Sequence, residues 1–162
     1  MTSMIQEQQL AIVGAVLKRL TTHIDERGFF TELIRHTDPF FEEGFAQLSH
    51  SKMYQGIVKA WHIHKTQVDW WYVPIGRLKV ALSDLRPDSP SLGKTITMFL
   101  GEDIEPAILK IPAGVAHGCK AMGGTAHLFY VTSGVYNIEE EGRIPHNDPT
   151  IGYDWVSGAE IK

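Results

Sequence analysis

The chain has 162 residues, 43% of them hydrophobic and 21% charged, with a formal net charge of -4 and an isoelectric point near 6.0. That length suffices for one domain that buries roughly 70% of its unfolded surface without a disulfide framework or a metal, and the mild acidity argues against a nucleic-acid partner or an anionic membrane surface. Cys119 is the single cysteine, the start lacks the basic and apolar regions of a secretory leader, and no apolar run reaches the about 18 residues that cross a bilayer; a cytoplasmic protein with a small-molecule partner is expected.

Residues 1–9 are polar and Gln-rich and are expected to be frayed or an arm, and AIVGAVLKRL after them reads as an edge strand. DERGFFTELIRH, from Asp25, sets turn residues ahead of an aromatic strand and predicts a hairpin. DPFFEE, from Asp38, predicts a helical turn. From Gln47 the pattern is strongly β. In KMYQGIVKAWHIH, alternation places Ile57, Lys59, Trp61 and Ile63 on one face and Val58, Ala60, His62 and His64 on the other, so the histidines are expected along a face of small residues. DWWYV reads as a strand, turned by Pro74 and Gly76 into a second, RLKVALSDL. RPDSPSLG is a loop by composition, KTITMFL and AILKIP are strands, PAGVAHG is a tight loop, TAHLFYVTSGVY is β-prone, and Asn137 to Pro149 is loop-like. Short strands at intervals of about 8 to 15 residues, without a long amphipathic helix, give an all-β class: a sandwich or barrel with short helical turns, in one domain over 1–162.

The residues that carry chemistry fall in two stretches. WHIHKTQVDWWYVPIG holds His62 and His64 at i and i+2, then Asp69 and Gly76, and IPAGVAHG holds Pro112, Gly114 and His117. Residues two apart on a strand project to the same side, so two imidazoles, a carboxylate and a third imidazole are expected to converge. Such a set suffices as the first shell of a first-row divalent metal with positions open to substrate; it equally suits proton transfer. Taken singly, His23, His36, His50, His127 and His146 are read as structural or exposed.

The HxH pair, the acid and glycine after it, and PxGxxH resemble both motifs of the cupin superfamily, which implies a jelly-roll barrel. DERGFF with Glu32, the strand from Gly56 to His62, SDLRPDSPSLG, IPAGVAHG and NDPTIGYDW resemble, in order and spacing, the dTDP-4-dehydrorhamnose 3,5-epimerase family over about four fifths of the chain. The resemblance implies a homodimer, with the N-terminal strand as the pairing element. It also implies catalysis without a metal or other cofactor, and a nucleotide-diphosphate sugar bound inside the barrel. The reaction is inversion of the carbons beside the keto group of a 4-keto-6-deoxysugar. It matches His62 to the catalytic base, Tyr130 to the acid, and His117 to a second active-site histidine. Arg27 is matched to the diphosphate, and Phe30, Glu32, Gln47 and Lys59 to further substrate positions.

Three positions depart from the family. It has glutamine at His64, lysine beside the reacting ketone at Asp69, and a carboxylate supporting the base in a C-terminal segment beyond Lys162. Lys52 and Lys65 are alternative sources of the missing positive charge. Two other readings follow: a metal-dependent cupin, a dioxygenase or another isomerase, using His62, His64, Asp69 and His117; and a sugar-nucleotide binding protein without turnover.

Overall fold

The computed structural model describes residues 6–158. Eleven strands run in order: β1 (Glu7–Gln9), β2 (Val16–Arg19), β3 (Thr22–Asp25), β4 (Gly28–Thr31), β5 (Gln47–Met53), β6 (Val58–His64), β7 (Asp69–Asp84), β8 (Thr95–Gly101), β9 (Ala107–Ile111), β10 (Val115–Thr132) and β11 (Glu141–Arg143), with one 3-10 turn at Pro39–Phe41. The protein is thus a nearly all-β jelly-roll sandwich, and no helix among the described residues is long and apolar enough to cross a membrane.

Two long antiparallel strands organise it. The first half of β7 pairs with the second half of β10, Asp69 opposite Thr132 and Trp71 opposite Tyr130, while the second half of β7 pairs with the first half of β10, Leu82 opposite His117. Each half then recruits different neighbours. One layer runs β1-β2-β9-β7-β10-β5, through Trp71 opposite Leu109 and Tyr130 opposite Ser49. The other runs β8-β7-β10-β6-β11. Both layers therefore share the same two strands, folded over on themselves.

The fold-over has a local cause. Gly76 has φ +74, and a Cβ there would collide with the backbone of Thr125 and Ala126; only glycine permits the approach. Pro74 and Gly76 were expected to reverse the chain, yet they bend a continuous strand, because the backbone keeps its partners on both sides of the corner. PAGVAHG likewise yields only a short turn before β10, and its Val115, Ala116, His117 and Gly118 already lie in that strand.

Other sequence expectations shift in smaller ways. Glu7–Gln9, read as part of a frayed arm, pairs with Val16–Lys18 as β1, which moves β2 off the edge; residues 1–5 lie outside those described. The DERGFF hairpin forms as a separate two-stranded sheet of β3 and β4, and the DPFFEE turn packs Phe41 edge-on against Trp70, whose indole N–H donates to Phe40 O at 3.0 Å.

The interior between the layers is filled by Met53, Trp71, Val73, Leu78, Val80, Leu82, Leu109, Ile111 and Leu128. On the outer face of the second layer, Trp155 from the C-terminal segment packs on Trp61, Ala81 and Ala116. SDLRPDSPSLG is closed around Asp84, which is fully buried. Arg86 grips it through Nε and Nη2, both at 2.8 Å, and Ser89 and Ser91 donate hydroxyls to the same carboxylate.

These donors, Arg86 foremost, hold the Asp84 carboxyl far below the usual carboxylate range. A depressed folded-state pKa stabilises the fold above the unfolded value of about 4 and loses that contribution as pH falls toward the folded value. Replacing Asp84 with Ala should therefore cost about 2–4 kcal/mol at pH 7, since Arg86 is left unpaired. The difference from wild type, measured by urea unfolding, should shrink as the pH is lowered below about 4.

Candidate active site

A cavity of about 320 Å3 opens between the layers, a size suited to part of a nucleotide sugar. Its walls come from five strands: Gln47, Ser51 and Met53 from β5; Lys59, His62 and His64 from β6; Asp69 and Trp71 from β7; His117, Cys119, Leu128, Tyr130 and Thr132 from β10; Glu141 and Arg143 from β11. Strand alternation explains most of this lining, since 47, 51 and 53, 69 and 71, and 128, 130 and 132 each lie on one face of their strand.

Strand β6 breaks that rule, and here the sequence expectation needs correcting. His62 pairs with His117, but Lys59 pairs with Cys119, so three residues on β6 span two on β10. This one-residue bulge resets the alternation. Lys59 joins His62 and His64 on the cavity face, and Ala60, Trp61 and Ile63 pack together on the outer layer. The histidines do not look along a face of small residues.

His62 is held by a carboxylate. Its Nδ1 lies 2.7 Å from Glu141 Oε1. A carboxylate accepts, so Nδ1 carries the hydrogen and Nε2 keeps its lone pair. Glu141 is opposite His64 across the β6–β11 pair and reaches His62 diagonally. Sequence reading placed Glu141 in a loop. A three-residue polar strand leaves no hydrophobic periodicity to detect, and only its pairing with β6 gives it a role.

The other two histidines gather around Asp69. His64 Nε2 is 3.9 Å from Asp69 Oδ1, and His117 Nε2 is 3.9 Å from Asp69 Oδ2. Asp69 faces both, at distances longer than a hydrogen bond. Its Oδ1 accepts from Gln67 Nε2 at 2.8 Å and its Oδ2 from Trp71 Nε1 at 3.2 Å. His117 Nδ1 donates to Val115 O at 3.1 Å, which leaves Nε2 as the lone-pair nitrogen. Burial pushes the His117 pKa well below the ordinary imidazole range, against the opposing pull of Asp69. Of the four residues read as a metal set, three thus have ligand atoms within 4.8 Å of one another, and His62 stands apart with Glu141.

The remaining assignments divide. Gln47, Lys59, His117 and Tyr130 line the cavity with His62. Arg27, Phe30 and Glu32 do not. Arg27 sits at the tip of the β3–β4 hairpin with its side chain 85% exposed and pairs with Asp25, Phe30 is exposed on the same hairpin, and Glu32 lies 3.6 Å from Arg35. Neither Lys52 nor Lys65 lines the cavity; the cations that do are Lys59, bonded to Ser51 Oγ at 2.8 Å, and Arg143. Burial pushes the Cys119 thiol up to about 12, so it is an inert wall. His50 and His127 bond one another at 2.8 Å on the surface.

Comparison with known proteins gives a consistent picture. Residues 9–162 match the family model described as dTDP-4-dehydrorhamnose 3,5-epimerase. The chain is 45% identical over 147 residues to the spore coat polysaccharide biosynthesis protein SpsL of Bacillus subtilis (strain 168), covering 89% of this chain and 96% of that one. Among solved structures, it superposes on a dTDP sugar isomerase from Desulfovibrio desulfuricans G20 with TM-score 0.88 and 29% identity, covering 94% of this chain and 97% of that one. It also matches the Legionella pneumophila dTDP-6-deoxy-D-glucose-3,5-epimerase, solved with dTDP-4-keto-L-rhamnose, with TM-score 0.85 and 25% identity, covering 96% and 86%.

The Glu141 contact makes its own prediction. Nitrogen-15 NMR at pH 8 should show His62 as a single tautomer protonated at Nδ1. In Glu141→Ala the His62 signals should shift toward a mixture of tautomers, while His117, tied to Val115 O, keeps its own.

Proposed function

Because this chain belongs to the dTDP-4-dehydrorhamnose 3,5-epimerase family and is an isomerase of that class, we propose that His62 and Tyr130 invert one or both carbons beside the keto group of a dTDP-linked 4-keto-6-deoxysugar. The observation that carries these roles is the His62–Glu141 pair at 2.7 Å, in a cavity whose wall also holds Tyr130 on another strand.

The chemistry follows from that arrangement. His62 Nε2 takes the proton from the carbon next to the ketone, and the C–H electron pair forms a carbon–carbon double bond as the carbonyl electrons move onto oxygen. Glu141 compensates the imidazolium that results and keeps the ring in one orientation, as a carboxylate behind a catalytic histidine does. Tyr130 then delivers its hydroxyl proton to the opposite face of the same carbon, and solvent restores both side chains. Glu141 thus serves as the carboxylate behind the base. Lys59 and Arg143 are the cations disposed toward the diphosphate, Arg143 as a planar fork and Lys59 as a point charge.

Arg27, Phe30 and Glu32 keep a part in this reading through a second copy of the chain. The hairpin that carries them leaves Ile24, Phe29 and Phe30 exposed, Phe29 to 73%, an apolar surface that a homodimer would cover. In that dimer the hairpin of one copy reaches the cavity of the other and brings Arg27 to the diphosphate. We place the reaction in the cytoplasm, a reading supported by the lone free thiol of Cys119.

Incubation with a dTDP-4-keto-6-deoxysugar in heavy water tests the roles. Wild type should incorporate deuterium at C3 or C5, and His62→Ala should not. Tyr130→Phe should still exchange the proton but yield little inverted product, because the return from the opposite face is lost. Exchange in His62→Ala at the wild-type rate would remove the assignment.

Light scattering should give a mass of two chains for wild type and of one chain for a Phe29→Asp, Phe30→Asp double variant. A monomeric wild type with full activity would exclude the shared cavity.

A further inference from the structure

In His64, Asp69 and His117 two imidazole nitrogens and a carboxylate face one another with the wrong spacing for hydrogen bonds. Each nitrogen is 3.9 Å from its carboxylate oxygen, beyond hydrogen-bond reach. Since Val115 O takes the Nδ1 hydrogen of His117, neutral His117 turns a lone pair, not a donor, toward Asp69. Two acceptors confront each other in a site where the side chains of Asp69 and His117 are each only 4% exposed. Such an arrangement is stable when a cation lies between them.

The spacing is close to what one needs. The ligand atoms of the three residues lie within 4.8 Å of one another, and small side-chain rotations bring the 3.9 Å separations to the about 3.4 Å at which two ligands stand on a tetrahedral ion. The supporting contacts are also those a metal site needs. Val115 O fixes the His117 tautomer, and Gln67 and Trp71 each donate to one oxygen of Asp69. His64, at the end of β6, opens the set toward the cavity.

We propose that His64, Asp69 and His117 bind one divalent first-row transition-metal ion on the cavity wall, leaving His62 free as a base. The separation of His62 removes the conflict in a four-residue metal set, where one imidazole would serve as both ligand and base. On the isomerase reading above, the bound ion supplies the positive charge beside the keto oxygen where the family has lysine and this chain has Asp69. Two histidines and one carboxylate leave coordination positions for water or a substrate oxygen, and a nitrogen-rich set selects transition metals over magnesium or calcium.

The test uses untagged, chelator-treated protein titrated calorimetrically with zinc, cobalt or manganese chloride. One equivalent should bind per chain, and cobalt should give the visible absorption bands of a nitrogen-and-oxygen site. His64→Gln and Asp69→Asn should each weaken binding by at least about 100-fold while melting cooperatively near the wild-type temperature. Wild type that binds none of the three ions, or binding that survives both substitutions, overturns the site. The cobalt spectrum on wild type decides the matter even where a variant fails to fold.

Deuterium exchange into substrate then separates site from role. Exchange at least about 100-fold slower in the chelated protein, restored by the ion, supports the charge assignment. Equal exchange with and without the ion rejects that assignment and leaves the isomerase intact. Bound metal with no exchange in either form keeps the site and rejects the isomerase reading instead.

Discussion

The contact on which the architecture rests is the approach of the Gly76 backbone to Thr125 and Ala126. A side chain at 76 would hold β7 and β10 apart at the corner where both fold over. Without that corner the two strands would form one extended ladder, and no interior would exist for a cavity to occupy. Because the same strands run through both layers, Asp69 lies in one layer and His117 in the other while remaining a short distance apart. The site is therefore a product of curvature as much as of composition.

Inside the cavity, two carboxylates divide three imidazoles. Glu141 takes His62 at hydrogen-bond distance, and Asp69 faces His64 and His117 across a gap. The difference is chemical. A carboxylate in contact with an imidazole N–H fixes the tautomer and turns the far nitrogen's lone pair outward, whereas one opposing a lone pair makes a pocket of negative potential. Neighbouring histidines so acquire opposite characters, and strand register alone decides which is which. The hydrogen bonds to Asp69 from Gln67 and Trp71 fix the plane of its carboxylate.

Much of this was legible in the chain. Alternating apolar residues announced the strands, and the histidines of WHIH and PAGVAHG pointed to a common wall, as did Tyr130. What the sequence hid was what depends on distant partners. Glu141 sits in EEGR, where no apolar rhythm marks a strand, and it becomes one only because β6 offers an unpaired edge. Lys59 was assigned to the wrong face because a bulge is a property of two strands together. Pro74 and Gly76 carried a turn signal that long-range pairing turned into a bend. Arg27 and Phe30 were recognisable by motif, yet the hairpin that holds them belongs to a separate sheet.

The bulge in β6 also makes the strand behave as a phase switch. Upstream of it, Lys59 faces inward and Val58 outward; downstream, His62 and His64 face inward while Trp61 anchors the layer beneath Trp155. Losing one residue between them would not merely shorten the strand. It would rotate everything on one side by half a turn, delivering an indole to the substrate chamber and an imidazole to the oily underlayer. The spacing of this short segment thus encodes which side of the wall is chemistry and which is foundation, independently of the identity of the residues that occupy it.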